Sequence, residues 1–488
     1  MKTQLEQTVG RALTTIVIVL ALLASFALIV SAQEASSTDP KPWDERAIPA
    51  PLSRNDYTGE LARDQLDALT DRGEMLFVAR FTTLDGAGRP MATQAIIPTK
   101  RRRLAENSFQ RMTGMDANAC SSCHSVPRIG GAGDFTANVF VSEGFGNADF
   151  DSIDPQFSNE RNTNHIFGAG LIELLAREMT TELQAIRSQA ASEARATGTS
   201  INLPLMTKGI SFGSITVEAD GMVDLSGLDG VDTDLVIRPF SQKGVMTSLR
   251  QFTINAMNDH HGMQATERYG ARWTGEADFD EDGYANELGP GDISALVAWQ
   301  ATLPPPTIFK PENTEWQEAA SNGNDVFDRL NCNSCHVRAL PLTSTKFADP
   351  GPLDAAGTLR EAEDGSAAIY DLALYDWMKV LPRNDKGQVM VPLFGDLKRH
   401  QIADQKVAAL GNELLAQRFV ARDVYMTAEL WGIASTGPYG HRGDLTTLDE
   451  VIRAHGGKAS ASARAYETLE DADRSALIAF LKTLVIEP

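Results

Sequence analysis

All four cysteines of this 488-residue chain fall in two copies of one five-residue pattern, Cys120-Ser121-Ser122-Cys123-His124 and Cys332-Asn333-Ser334-Cys335-His336. Two thiols spaced by two residues, with an imidazole directly after them, suit three chemistries. Zinc ribbons pair Cys-x-x-Cys knuckles within tens of residues, whereas about two hundred residues separate these two, and the adjacent His has no role in a ribbon. A thioredoxin-like dithiol calls for a βαβ context, which neither flank suggests. The third chemistry is covalent c-type haem: each thiol adds to a porphyrin vinyl group, and the next residue presents a ring nitrogen to the iron. The doubled His and the lack of any stray cysteine favour two covalently bound haems c, with His124 and His336 as proximal ligands.

The elements that must position these groups read as mainly helical, with long loops and little β. Strand-like alternation is concentrated in Gly213–Leu225. Each Cys pair should follow a short helix with one apolar face, carrying Phe109 and Met112 before the first and Val326, Phe327 and Leu330 before the second. Leu469, Ala472, Ala476, Leu477, Phe480 and Leu484 recur at helical spacing and predict an amphipathic closing helix. The expected organisation is an export signal over 1–32, a loose leader over 33–75 and two haem c domains over 76–310 and 311–488. The proline cluster in Ala301–Asn313 supplies the linker between them.

Lys2 and Arg11 precede an uncharged apolar stretch, and Val30-Ser31-Ala32 places small residues where signal peptidase cuts. Cleavage after Ala32 is favoured over an uncleaved N-terminal membrane anchor. Either way, a periplasmic or otherwise exported, oxidising location follows. With 44 basic against 65 acidic residues, the net charge is −21. That argues against nucleic acid, whose phosphates need clustered Lys and Arg; the run Lys100–Arg103 reads as solvated. A partner with a positive surface is favoured.

A hidden repeat links the two halves. Pro239–Phe252 aligns without gaps on Pro438–Val451, with proline, an aromatic, a basic residue, Gly and a later Leu at equal offsets. Two related modules, each with its own site, are the simplest account.

With the haem motifs and Thr436–Gly457 in view, the chain resembles the bacterial di-haem cytochrome c peroxidase superfamily, in particular its branch of di-haem oxidoreductases of peroxidase type. The likeness is strongest in Phe167–Leu175, Pro239–Phe252, Gly291–Pro304 and from Tyr370 onward. It implies two cytochrome-c-like helical domains whose haems face a shared interface. It also places the distal ligand of the second haem fourteen residues after His441, at His455, with His441 beside the haem. A bis-histidine iron of this kind is closed to substrates and suits electron storage; the alternative is that His455 merely caps its helix. The resemblance further implies a calcium ion between the domains, held by Asn162 and backbone oxygens around Thr436 and Pro438, where the alternative is ordinary turn chemistry. Independently, Asp278, Asp280, Asp282 and Asn286 take positions 1, 3, 5 and 9 of an EF-hand-like loop around Gly283, although Gly289 stands where the closing carboxylate belongs.

The first haem departs from the family's pattern. No His lies between His124 and His165, Gly262 occupies the position of the catalytic Glu, and Gln242 that of the Trp that relays electrons. Ala256 aligns with His455, and His260 lies one turn on if its helix continues. His260 or His261 would then ligate the first iron or act as its acid–base group, with Met257 and Met263 as soft alternatives; the competing reading puts the His pair on the domain surface. His165 stands apart, and His400 in its polar stretch should be exposed. Two functions follow: an oxidoreductase drawing electrons from a small cytochrome or similar redox protein to reduce hydrogen peroxide or a related oxidant, or a non-catalytic carrier with both irons six-coordinate. Oxidation of a partner protein through the first haem has no separate signature here. Contact with a membrane is expected only through an uncleaved N-terminal segment.

Overall fold

A computed structural model describes residues 43–48, 50–87, 119–133, 136–141, 158–279, 283–354, 358–360, 367–404, 408–411 and 418–486. The export signal, Phe109, Met112, Lys100–Arg103, Asp280 and Asp282 lie outside these residues. Among those described, no helix is long and apolar enough to cross a membrane.

Helices dominate, and the strands form small sheets of two or three members. The expected loose leader is overturned in its second part. Leu66, Leu69, Gly73, Leu76 and Phe77 recur at helical spacing and bury one face of helix α1, Arg63–Val78. This helix lies on α4, Pro290–Thr302. Between them in the chain come α2, Ala169–Thr197, and α3, Leu249–His261. Beyond the prolines, α5, Thr314–Arg329, packs on the closing helix α7, Asp471–Leu481, with the short α6, Leu448–Arg453, before it.

The α1–α4 and α5–α7 crossings are built alike. A methyl carbon at Gly73 would lie 2.0 Å from the Ala295 carbonyl oxygen, and one at Gly323 would lie 1.9 Å from that of Ala476. Each pair therefore meets backbone to backbone, which only glycine permits. In both halves a glycine-bearing helix upstream of the Cys motif crosses the half's last helix.

Arg46–Pro488 pack as one compact unit with two apolar clusters. The first takes side chains from α1 to α4; Leu340, Phe347, Tyr370, Val391 and Leu393, beyond the linker, also join it. The second centres on Val326, Phe327, Leu330, Tyr466, Leu477 and Phe480. A buried ion network fastens residues 346–371 to α3. Arg250, 1 % exposed, donates to Glu267 and to both carboxylate oxygens of Asp349, and Tyr370 donates to Asp349 at 2.8 Å. Burial alone would raise the Asp349 carboxyl, but the Arg250 and Arg54 guanidiniums outweigh it and hold it below the usual carboxylate range.

The repeat is also a repeat of conformation. Phe240 bridges Met246 as Tyr439 bridges Leu445. Positive φ recurs at equivalent places, Ser241 (69°) with Gly440 (82°) and Gly244 (61°) with Gly443 (69°). Ser248 then caps α3 by accepting from the Gln251 N–H, as Thr447 caps α6 by accepting from Glu450.

Candidate functional site

The two turns deliver α3 and α6 to the wall of one cavity of ≈ 1260 Å³, which all four cysteines and all eight histidines of the chain line. Pockets for one drug-sized ligand span about 300–1,000 Å³, so this space suits something larger or more than one group. Burial pushes the thiol pKa up to about 12 at Cys120 and to about 11 at Cys123 and Cys332. That is the opposite of what a dithiol redox motif needs, since the thiolate is the reactive form.

Around the second motif, His336 donates its Nδ1–H to the Phe394 carbonyl at 3.2 Å, and His455 donates its Nδ1–H to Val451 at 2.7 Å. These bonds assign both tautomers and leave both Nε2 lone pairs available. The two ring centroids are 6.5 Å apart at an interplanar angle of 67°. Two metal–nitrogen bonds of about 2.0 Å, plus the two ring radii, fill that separation. Burial, and then His455, lower His336 to about 4, so it is neutral at pH 7, as ligation requires.

The first motif faces a different arrangement. His124 donates Nδ1–H to the Gly131 carbonyl at 3.3 Å. Helix α3 does continue through His261, whereas its counterpart α6 stops at Arg453. Both His260 and His261 line the cavity rather than the outer surface. Burial, and then the nearby His124, lower His260 to about 4. His261 sets Nε2 3.5 Å from Cys120 Sγ and packs on Phe81 with ring centroids 5.4 Å apart. Met257 lines the cavity as well, while Met263 is buried in the first apolar cluster. His165 also lines it: its Nε2–H donates to the Trp431 carbonyl at 3.1 Å, and burial lowers it to about 4.

The expected exposure of His400 is wrong. It is 8 % exposed and bonds Asp396 through Nε2 at 2.7 Å. Burial opposes its charge, but Asp396 and Cys335 raise it to about 9. A carboxylate four residues upstream was the available signal, masked by the polar run around it. Cys335, Asp396 and His400 offer ligand atoms within 4.8 Å of one another, but a thioether at Cys335 would remove the thiolate from that set. Sequence reasoning also missed Glu429, a cavity-lining carboxyl raised by burial to about 7.

His441 stacks on Tyr425, with centroids 4.6 Å apart, and its Nε2 lies 3.2 Å from the Tyr425 hydroxyl. Burial and the charges of Arg161, Lys243 and Arg442 lower it to about 3. Lys243, fully buried, stands 3.8 Å from the centre of the Tyr425 ring and donates to the Ala421, Arg422 and Val424 carbonyls at 2.7–2.8 Å. Gln242 donates to the Asn162 and His441 carbonyls, joining the two halves. Gly262 ends α3 with φ 67°, a conformation in which a Glu side chain would be strained.

Asn162 meets the Pro438 segment: its N–H donates to the His441 carbonyl at 2.9 Å and its Nδ2 to the Pro438 carbonyl at 2.5 Å. Its Oδ1 is buried without a hydrogen-bond partner, and Thr436 lines the same cavity. This oxygen-rich corner fits a calcium ion. In the acidic turn, Asp278 accepts from the Gly283 N–H at 3.1 Å and Asn286 adopts φ 57°.

One solved structure and one family model are similar to parts of this chain. One solved structure with similarity is described as "Crystal structure of a MauG-like protein associated with microbial copper homeostasis"; it is 15 % identical, with 56 % of this chain and 79 % of that one covered and a TM-score of 0.28. No curated protein matches the chain. The family model described as "Di-haem oxidoreductase, putative peroxidase" matches residues 383–484, the stretch that carries His400, His441 and His455. Over those residues the chain carries a domain of the di-haem oxidoreductase family.

Proposed function

We propose that the protein is an exported di-haem c-type cytochrome oxidoreductase, built from two related modules and akin to the di-haem peroxidases. Cys120 and Cys123 would bond one porphyrin and Cys332 and Cys335 the other, with His124 and His336 as proximal ligands and His455 opposite His336. Bound haem would supply one-electron chemistry and, where an iron position is open, a place for peroxide or a similar small oxidant. The chain's own part is to hold neutral imidazoles with fixed tautomers, to exclude bulk water and to set Arg161, Arg238, Arg268 and Arg418 along the cavity for porphyrin carboxylates. Asn162, Thr436 and Pro438 would hold calcium where the halves meet. Electrons would come from a small redox protein carrying positive surface charge.

One observation carries this reading: every Cys and every His of the chain lines a single cavity, with the rings of His336 and His455 6.5 Å apart. A carrier with both irons six-coordinate is the second reading, favoured by the half-buried His260, whose lowered pKa keeps it neutral and which is close enough to His124 to feel its charge. Electron paramagnetic resonance before and after partial reduction, together with peroxide turnover, separates the two. A high-spin or labile first haem with turnover supports the enzyme. Two low-spin signals in both states and no turnover support the carrier, and a purified protein without a Soret band refutes both.

A further inference from the structure

The nearest hydrogen-bond partners of the two proximal imidazoles belong to one connected chain. His124 donates to the Gly131 carbonyl at 3.3 Å, and the carbonyl of the preceding Gly130 accepts the Ile166 N–H at 2.9 Å. The residue before Ile166, His165, donates its Nε2–H to the Trp431 carbonyl at 3.1 Å. One residue back, the Leu430 N–H donates to the Phe394 carbonyl at 3.3 Å. That same carbonyl accepts the Nδ1–H of His336 at 3.2 Å. His124 and His336 are thus joined by short covalent runs and hydrogen bonds, and His165 is the only side chain between them on this route.

We propose that His165 is the joint of a hydrogen-bonded bridge by which one electron passes between the two iron sites; this rests on the di-haem reading above. Electronic coupling falls off less steeply through bonds and hydrogen bonds than across a gap, so a connected route of this kind suits the transfer of one electron. The partners of ligating imidazoles also tune the metal they serve, and here the partners of one site continue into those of the other. With a haem held by His336 and another by His124, one electron would leave the former and reach the latter with no proton moved, and His165 keeps its Nε2–H throughout. The tautomer is fixed by the Trp431 carbonyl, which only accepts. Gln242 stands where the resemblance expects a relay Trp and is occupied in holding Asn162 to His441.

The test uses the loaded protein. Haem content by mass and pyridine haemochrome comes first: fewer than two haems in the wild type refutes the di-haem reading and is a separate failure. With two haems present, flash reduction of the second site is followed at the first by its absorption band. His165→Leu should slow this transfer by about tenfold or more, with reduction potentials and resonance signals unchanged, and Trp431→Phe, which keeps the carbonyl, should leave it within about twofold. His165→Gln, whose amide N–H can reach the carbonyl, should recover part of the rate. If His165→Leu loads poorly, Gly432→Ala serves instead: at φ 80° its methyl would lie 2.8 Å from Ile486 Cγ1 and 3.2 Å from His165 Nε2, shifting the Trp431–Gly432 backbone and with it that bond; slower transfer is again expected. A wild-type rate in His165→Leu or Gly432→Ala overturns the bridge, as does slowing in Trp431→Phe alone.

Discussion

The chain turns twice in the same way, at Pro239–Phe252 and at Pro438–Val451, and then does two different things. After the second turn the helix lasts six residues, and His455 follows it to face His336. After the first turn the helix runs thirteen residues, Ala256 takes the place equivalent to His455, and the imidazoles arrive a turn later as His260 and His261. His260 is close enough to His124 for their charges to interact, and His261 lies against Cys120. The scaffold is shared down to the left-handed residues of the turn. What distinguishes the sites is how far the helix continues and which positions carry a ring. A module can thus keep its frame while the residues opposite its Cys-x-x-Cys-His motif are rewritten.

The strongest break of that comparison removes the thiols. Cys332→Ser with Cys335→Ser should delete one haem by mass and about half the Soret absorbance, and the Cys120/Cys123 pair should do the same for the other site; loss of both haems from either change would mean the modules do not load separately. Next comes the tie between α3 and the segment that follows the second motif. Asp349→Asn leaves Arg250 short of a charge partner and should cost about 3–5 kcal/mol in urea unfolding. Because the folded Asp349 pKa lies below its unfolded value, this contribution is present above the unfolded pKa and fades as pH falls through the folded one. The wild type should therefore lose more stability on acidification than Asp349→Asn does.

Smaller effects test the likeness of the crossings. Gly73→Ala and Gly323→Ala should each cost about 1–3 kcal/mol as the helices are forced apart, and a cost at only one of them would end the parallel. Finally, His455→Gly should alter one low-spin resonance signal, and His260→Ala should alter the signal of the first site, high-spin or low-spin, more than His261→Ala does. Exchange of those assignments would show that the ring facing the first iron is not His260.

The two Cys-x-x-Cys-His motifs and the gapless repeat were legible because chemistry and backbone conformation fix spacing along the chain, and spacing survives in a bare sequence. Helix α1 lies in part within the stretch expected to be a loose leader, although Leu66, Leu69, Gly73 and Leu76 already carried the helical period. His400 was misread because polar neighbours suggest solvent, whereas Asp396, one turn upstream, permits burial. Glu429 and the meeting of His165 with Trp431 had no local signature at all. They depend on segments hundreds of residues apart being brought side by side.

Lys243 carries one more consequence. Its ammonium is enclosed by three carbonyl oxygens and the Tyr425 ring, with no exposed surface. An amine-reactive label can reach it only when the loop at 421–424 lifts away. Its rate of labelling would then clock how often this wall of the site opens, which makes it a built-in timer for breathing of the interior.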